Sequence, residues 1–356
     1  MGRVTLQTIA DEVGVSRMTV SNAFSRPDQL SPALRQKILA VADRLGYCGP
    51  DPAARTLSKG RSGTVGVLFT DTLSYAFSDE VATTFLAGVA GVLEFEGLGL
   101  TVLSAPRTGP DTSVGRAVVD GLIIYSVDLN SPGLEMARRR GLPLVLVDQP
   151  PERGVPSVNI DDRGGARAAA EHVIELGHRR LGIILEAMSP EIALVDPATM
   201  PQHHVIKERL LGWRAAAEAA GLTPPMVASI PNNDRDPAAT AAGLILDAEP
   251  RTTALLCLSD AMALGALDAA KVRGLRVPSD LSVVGFDDSP AARHADPLLT
   301  TVWQPVREKG RAAAQLLVDR LATPDARSNG PQTTVLSTEL VVRASTATAP
   351  TSRRPS

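Results

Sequence analysis

At 356 residues, 44% of them hydrophobic, the chain exceeds what one core usually organises and reads as two or three folded domains. Its 21% charged residues, the lack of any apolar run near the roughly 20 residues that cross a bilayer, and just two cysteines, Cys48 and Cys257, without metal or redox spacing exclude membrane-spanning, disulfide-framework and zinc-bound classes. The net charge of −3 hides an asymmetry, since residues 1–61 hold nine Lys/Arg against five acids while the remainder holds 27 against 34. A basic head on an acidic body suits a protein that lays its head alone on a polyanion. The opening MGRVTLQTIADEVG lacks the apolar centre of a signal peptide, so export is not expected.

In chain order, short helices come first. Thr5 is placed to cap a helix through Ile9, Ala10 and Val13, which Gly14 ends. Ser16 caps the next, with Val20, Ala23 and Phe24 inward; the Gly-containing turn between the two makes a helix-turn-helix. Ser31-Pro32 opens a third, whose Leu34, Ile38, Val41, Ala42 and Leu45 share one face. The stretch GPDPAARTLSKG then predicts a helix of about two turns, too short to be stable alone in water.

From Thr64 strands alternate with helices, the pattern of a parallel sheet covered on both faces. Strands are expected over Thr64–Phe69, Leu100–Ser104, Gly121–Tyr125, Leu144–Val147, Arg180–Leu185, Ala254–Leu258 and Leu281–Gly285. Helices are expected over Glu80–Glu96, Gly164–Leu176, Arg209–Ala220, Ala238–Asp247, Ala261–Arg273 and Arg307–Leu321. The expected fold is an all-α helix-turn-helix head plus an α/β body of two doubly wound lobes, whose ligands sit at the carboxyl ends of strands. The Ala/Thr/Pro/Ser/Arg-rich segment 344–356 reads as a disordered tail.

In a DNA-binding helix-turn-helix the second helix enters the major groove and its first residues reach base edges. Here these are Arg17, Met18, Ser21 and Asn22, opposite Val20 and Phe24. Arg pairs bidentately with guanine and Asn with adenine, and Met18 can meet a thymine methyl. Alone, such a stretch also fits the solvated face of any small helix. The surrounding TLQTIADEVGVSRMTVSNAFSRPDQLSPALRQKILAVADRLGY closely resembles the head of the LacI/GalR family of bacterial transcriptional regulators, down to its VS-x-x-TVS core and closing LGY. ERLLGWRAAAEAAGL, LSDAMALGALDAA and VPSDLSVVGFDD resemble body segments of the same family, and the resemblance runs to about Val342.

The resemblance implies a head over 1–48, a hinge helix and linker over 49–62, and a two-lobed effector-binding and dimerisation domain of periplasmic-binding-protein type over 63–343. The N-lobe is expected at about 63–160 and 291–322, the C-lobe at about 161–290 and 323–343. The hinge helix would form on operator DNA and wedge Leu57 into the minor groove beside Arg55, which agrees with a marginal helix presenting one apolar side chain. A homodimer on a near-palindromic operator follows from two-fold symmetry. Thr5, Ser16 and Ser31, each at a helix start, are placed to meet backbone phosphates. The cytoplasm, at the nucleoid, is the expected location.

For the body, the resemblance implies a cleft for a small, carbohydrate-like effector, with Arg209 ahead of Trp213 and Asp287 in GFDD as its polar contacts. Arg and Asp together match the donors and acceptors of sugar hydroxyls. Asp148, Ser259 and Asp260 also end strands at matching positions, with simple capping as the alternative for Asp148 and Asp260. Tyr75 and Phe77, two of the nine Phe and Tyr residues, lie in a predicted loop where they stack on a ligand or pack internally. The segment between Leu185 and Arg209 is longer than the family usually shows. No cofactor and no catalytic role are expected: the adjacent His203-His204 lacks chelating spacing, and no P-loop, dinucleotide fingerprint or G-x-S-x-G elbow is present. A regulator that senses a partner protein in place of a small ligand is the alternative.

Overall fold

The computed structural model describes residues 4–49, 60–70, 72–105, 113–128, 130–186, 188–249, 252–323 and 332–351. The proposed hinge residues Arg55 and Leu57 lie outside this set. The chain divides into two compact units, Met1–Gly63 and Thr64–Ser356.

In the first unit, α1 (Leu6–Val13), α2 (Arg17–Ser25) and α3 (Pro32–Arg44) close around Ile9, Ala10, Val13, Val20, Ala23, Ile38 and Ala42. Each start is fixed by a hydroxyl acceptor: Thr5 for the Thr8 amide, Ser16 for that of Thr19 and Ser31 for that of Leu34. Gly14 ends α1 at φ 80°, a left-handed turn that aims α2 away from it. Phe24 meets Tyr47 edge-on at 5.7 Å, closing the open side of the core.

The second unit contains β1 (Thr64–Phe69), α4 (Leu73–Ser78), α5 (Glu80–Phe95), β2 (Gly99–Ser104), α6 (Ser113–Arg116), β3 (Gly121–Tyr125), α7 (Pro132–Arg139), β4 (Leu144–Val147) and β5 (Ser157–Ile160). There follow α8 (Asp162–Glu175), β6 (Leu181–Glu186), β7 (Ala193–Val195), α9 (His204–Ala219), β8 (Met226–Ile230), α10 (Arg235–Ala248), β9 (Ala254–Cys257), α11 (Asp260–Val272) and β10 (Ser282–Asp287). The last elements are α12 (Pro290–His294), β11 (Thr300–Trp303), α13 (Val306–Ala322), β12 (Thr333–Leu336) and β13 (Glu339–Val341).

Two sheets result, in the orders β12-β5-β4-β3-β1-β2 and β13-β11-β10-β9-β6-β8-β7. The first is parallel throughout, and the second is parallel except for its antiparallel edges β13 and β7. Helices cover both faces, so central strands such as Val65–Phe69 are buried along their whole length and read as continuous apolar runs. In the N-lobe α5 and α13 pack at van der Waals contact, because Gly88 and Gly310 each face the other helix's backbone.

Three expected boundaries change. Segment 291–322 is expected in the N-lobe, yet β11 lies in the C-lobe sheet and the chain returns to the N-lobe only at α13. Segment 323–343 is expected in the C-lobe, yet β12 pairs with β5 in the N-lobe. β12 is largely exposed at a sheet edge, so its sequence carries little apolar signal. The expected tail is ordered at least to Ala349: Ser345 is fully buried between Val283 and Thr300, and the Ala349 amide donates to Leu176. These small residues are held by backbone and hydroxyl bonds, which composition does not reveal.

Candidate functional site

On the head, α2 presents Arg17 and Met18 to solvent, Met18 with 71% of its surface exposed, and Ser21 and Asn22 lie one turn further on. Asn22 Nδ2 donates to Gln29 Oε1 at 3.2 Å, so Gln29 orients the Asn22 amide. Thr5, Ser16 and Ser31, all exposed, each cap a helix by accepting from the Thr8, Thr19 and Leu34 amides. Arg35 and Lys37 instead donate to the carbonyls of Ala23 and Val13 and brace α3 against its neighbours.

In the body, the carboxyl ends of strands from both lobes meet around an inner chamber of about 100 Å³. The chamber shares Tyr75, Asp79, Asn233 and Asp287 with an outer basin of about 660 Å³. Asp148, after β4, and Asp287, at the end of β10, take positive φ values of 56° and 119°, turning the chain at the chamber wall. Arg209, on α9, donates from Nε to Asp162 Oδ1 at 2.8 Å and from a terminal nitrogen to the Leu258 carbonyl at 2.5 Å. Asp287 Oδ1 lies 3.8 Å from Arg209 and accepts from Gln304 Nε2 at 2.6 Å. Lys309, buried on α13, donates to Asp148 Oδ2 at 2.6 Å and to Gln304 Oε1 at 3.0 Å.

Burial raises the pKa of Asp162 and Asp287, and the Arg209 guanidinium opposes that rise. Burial depresses Arg209, but Asp162 and Asp287 outweigh it, so Arg209 is held as a cation. Hydrogen bonds that cross between the lobes include His203 Nε2 with the Ser126 carbonyl at 2.9 Å and hydroxyl at 3.3 Å, Asn233 Nδ2 to the Tyr75 hydroxyl at 3.4 Å, and the Ala291 amide to Glu80 Oε2 at 3.4 Å.

The chamber therefore gathers Tyr75, Asp148, Arg209, Ser259 and Asp287 from the sequence-derived set. Ser259 caps α11 and donates to Asn233 Oδ1 at 2.5 Å. Asp260 borders the basin, not the chamber, and its two oxygens accept from the Ser289 amide and the Thr301 hydroxyl. Phe77 lines neither space and is 64% exposed. The expected loop is the short helix α4, and at 100° per residue Tyr75 and Phe77 point in nearly opposite directions.

Sequence reading missed Asp79, Glu186, His203, Asn233, Gln304 and Lys309, all of which line the chamber. Lys309 was legible: with Val306, Gly310, Ala313, Ala314 and Leu317 it falls on the buried stripe of α13. His203 was not, because it depends on how the long segment before α9 folds. That segment adds β7 to the sheet edge and is clasped by Arg214, which donates to the Pro197 and Thr199 carbonyls and to Met200 Sδ.

Residues 5–49 match the family model for bacterial regulatory proteins of the lacI family, and residues 170–346 match a periplasmic binding protein-like domain. An HTH-type transcriptional regulator of Mycobacterium tuberculosis is 44% identical over 350 residues, covering 95% of this chain and 96% of the relative. The chain belongs to the lacI family. This regulator is also 35% identical over 353 residues to the HTH-type transcriptional regulator CelR of Thermobifida fusca, covering 96% and 98%. Among solved structures, the CelR–cellobiose complex superposes with a TM-score of 0.71 at 32% identity, over 96% of this chain and all of that one. The lac repressor dimer bound to operator and the anti-inducer ONPF superposes at 0.79 and 26% identity, over 97% and 100%. The regulator is thus a DNA-binding transcription factor with a periplasmic-binding-protein-like body.

Proposed function

We propose that the regulator is a dimeric repressor whose affinity for a near-palindromic operator is set by a small polyhydroxylated effector bound between the lobes. The observation that carries this reading is the cleft formed by the chamber and the outer basin that shares its lining residues, where Arg209 and Asp287 from one lobe face Asp148 from the other at the carboxyl ends of strands. A ring of hydroxyls offers both donors and acceptors to such a set. The likeness to CelR, solved with cellobiose, and to the lac repressor, solved on operator, supports the same assignment.

On DNA, Arg17, Met18, Ser21 and Asn22 read base edges, and Thr5, Ser16 and Ser31 with their helix starts hold phosphates. Leu57 and Arg55 enter the minor groove. Effector binding changes the lobe angle and so the order of the segment joining head and body, which couples the two sites through one bistable element. Reciprocity follows: operator must alter effector affinity by the same factor. The test is selection of bound duplexes from a random library by the full chain. A near-palindromic motif is expected, and a non-symmetric motif or no enrichment would contradict the dimeric operator reading.

A further inference from the structure

Lys309 is only 1% exposed and sits on the apolar stripe of α13. Its Nζ donates to Asp148 Oδ2 at 2.6 Å and to Gln304 Oε1 at 3.0 Å, and lies 5.6 Å from the centroid of the Tyr125 ring. Gln304 Nε2 donates onward to Asp287 Oδ1 at 2.6 Å. Asp148 and Lys309 belong to the N-lobe and Asp287 to the C-lobe, while Gln304 stands in the crossover from β11 to α13. One lysine and one glutamine therefore tie carboxylates of opposite lobes to a hinge strand.

Burying a lysine with a carboxylate is a poor way to add stability, since the desolvation of two charges offsets their attraction and an apolar pair would serve as well. What the arrangement does supply is orientation. With Oδ2 held by Lys309, Asp148 keeps Oδ1 buried and without a hydrogen-bond partner among the described residues, at the wall of the chamber. The amide of Gln304 has a direction, its oxygen accepting from Lys309 and its nitrogen serving Asp287, so rotation at either end disturbs both carboxylates.

We propose that Lys309 is a positioning residue of the effector cleft, fixing Asp148 directly and Asp287 through Gln304, and holding the lobes at one setting of the hinge. This role rests on the cleft reading proposed for the regulator. With its Nζ committed to Asp148 and Gln304, Lys309 acts through the two acids.

Lys309→Met alone leaves Asp148 buried without its cation and lowers stability, so the informative variant is Lys309→Met/Asp148→Asn, which removes both charges. Asp148→Asn alone, which keeps Lys309 on Gln304, is the reference. Hydrogen exchange on the full chain is expected to quicken at least ten-fold in the double variant at the crossover amides of Ile160, Asp161, Asp162, Gln304 and Val306, with the central strands of both sheets as protected as in the wild type. Equal crossover rates in the double variant and the reference, or a uniform loss of protection across both sheets, would overturn the proposal. Thermal shift with cellobiose separates this from the cleft reading. Where cellobiose stabilises the wild type, the double variant must bind it at least ten-fold more weakly than the reference does, and equal binding would count against Lys309. A wild type unmoved by cellobiose would count against cellobiose as the effector, and the crossover exchange rates then decide by themselves whether Lys309 holds the hinge.

Discussion

The guanidinium of Arg209 lies 3.4 Å above the ring centroid of Phe286, so a cation and an aromatic face are stacked beneath the chamber while Asp162 and Leu258 fix the edges of the cation. This stack holds Arg209 in one rotamer and leaves its Asp287-facing side toward the chamber. Arg209→Ala is expected to abolish the effector response while operator affinity stays within about two-fold of wild type. It also leaves Asp162 buried without its cation, with a stability loss of about 3 kcal/mol. Operator titration with and without effector checks the first expectation and thermal unfolding the second. A retained response would show that the cleft contacts lie elsewhere.

Burial pushes the Asp260 carboxyl up to about 6 against the hydrogen bonds from Thr301 and Ser289. An acid whose pKa is higher folded than unfolded takes up its proton earlier in the native state, so folding gains as pH falls from about 6 towards the ordinary value of 3.8. Relative to Asp260→Asn, the wild type should therefore gain roughly 2–3 kcal/mol of stability between pH 7 and pH 4. Denaturant unfolding at several pH values reads this directly. A pH-independent difference would show that Asp260 does not titrate in this window.

A Cβ at Gly88 would stand 2.3 Å from the Arg307 carbonyl oxygen, and one at Gly310 2.3 Å from that of Phe85. Alanine favours helix over glycine by about 1 kcal/mol, but here the neighbour is backbone and cannot move aside cheaply. Gly88→Ala is expected to destabilise the body by about 1–3 kcal/mol. An unchanged or raised Tm would show that α5 and α13 separate more easily than their contact suggests.

On the head, Asn22→Ala should relax the base preference at one operator position, costing about 1–3 kcal/mol against the preferred sequence. Leu57→Ala should weaken operator binding and leave effector binding intact. Competition with single-base operator variants separates the two: Asn22→Ala changes the ranking of variants, whereas Leu57→Ala weakens all of them. Unchanged operator affinity for Leu57→Ala would remove the wedge assignment.

Much of this molecule was legible because its signals are local. Thr5, Ser16 and Ser31 announce helix starts by residue type, and the buried central strands announce themselves as apolar runs. What was not legible depends on partners distant in sequence. β12 and the 344–349 strap are held by edge pairing and hydroxyl bonds to Ser157, Val283 and Thr300, so nothing in their own composition marks them as ordered. The same holds for the chamber. Arg209 and Asp287 stand in motifs, but His203 and Gln304 acquire their roles only when the lobes meet.

A small polyhydroxylated compound bound between the lobes is expected to control operator affinity. The most direct measurement is thermal unfolding of the full chain against a panel of mono- and disaccharides, followed by operator titration with any compound that raises Tm. A ligand present at 100 times its Kd adds about 2.7 kcal/mol, well above detection. A hydroxyl-bearing compound is expected to raise Tm and shift operator affinity, and Arg209→Ala to lose both effects. A chain that binds operator yet is neither stabilised nor switched by any such compound would contradict the claim.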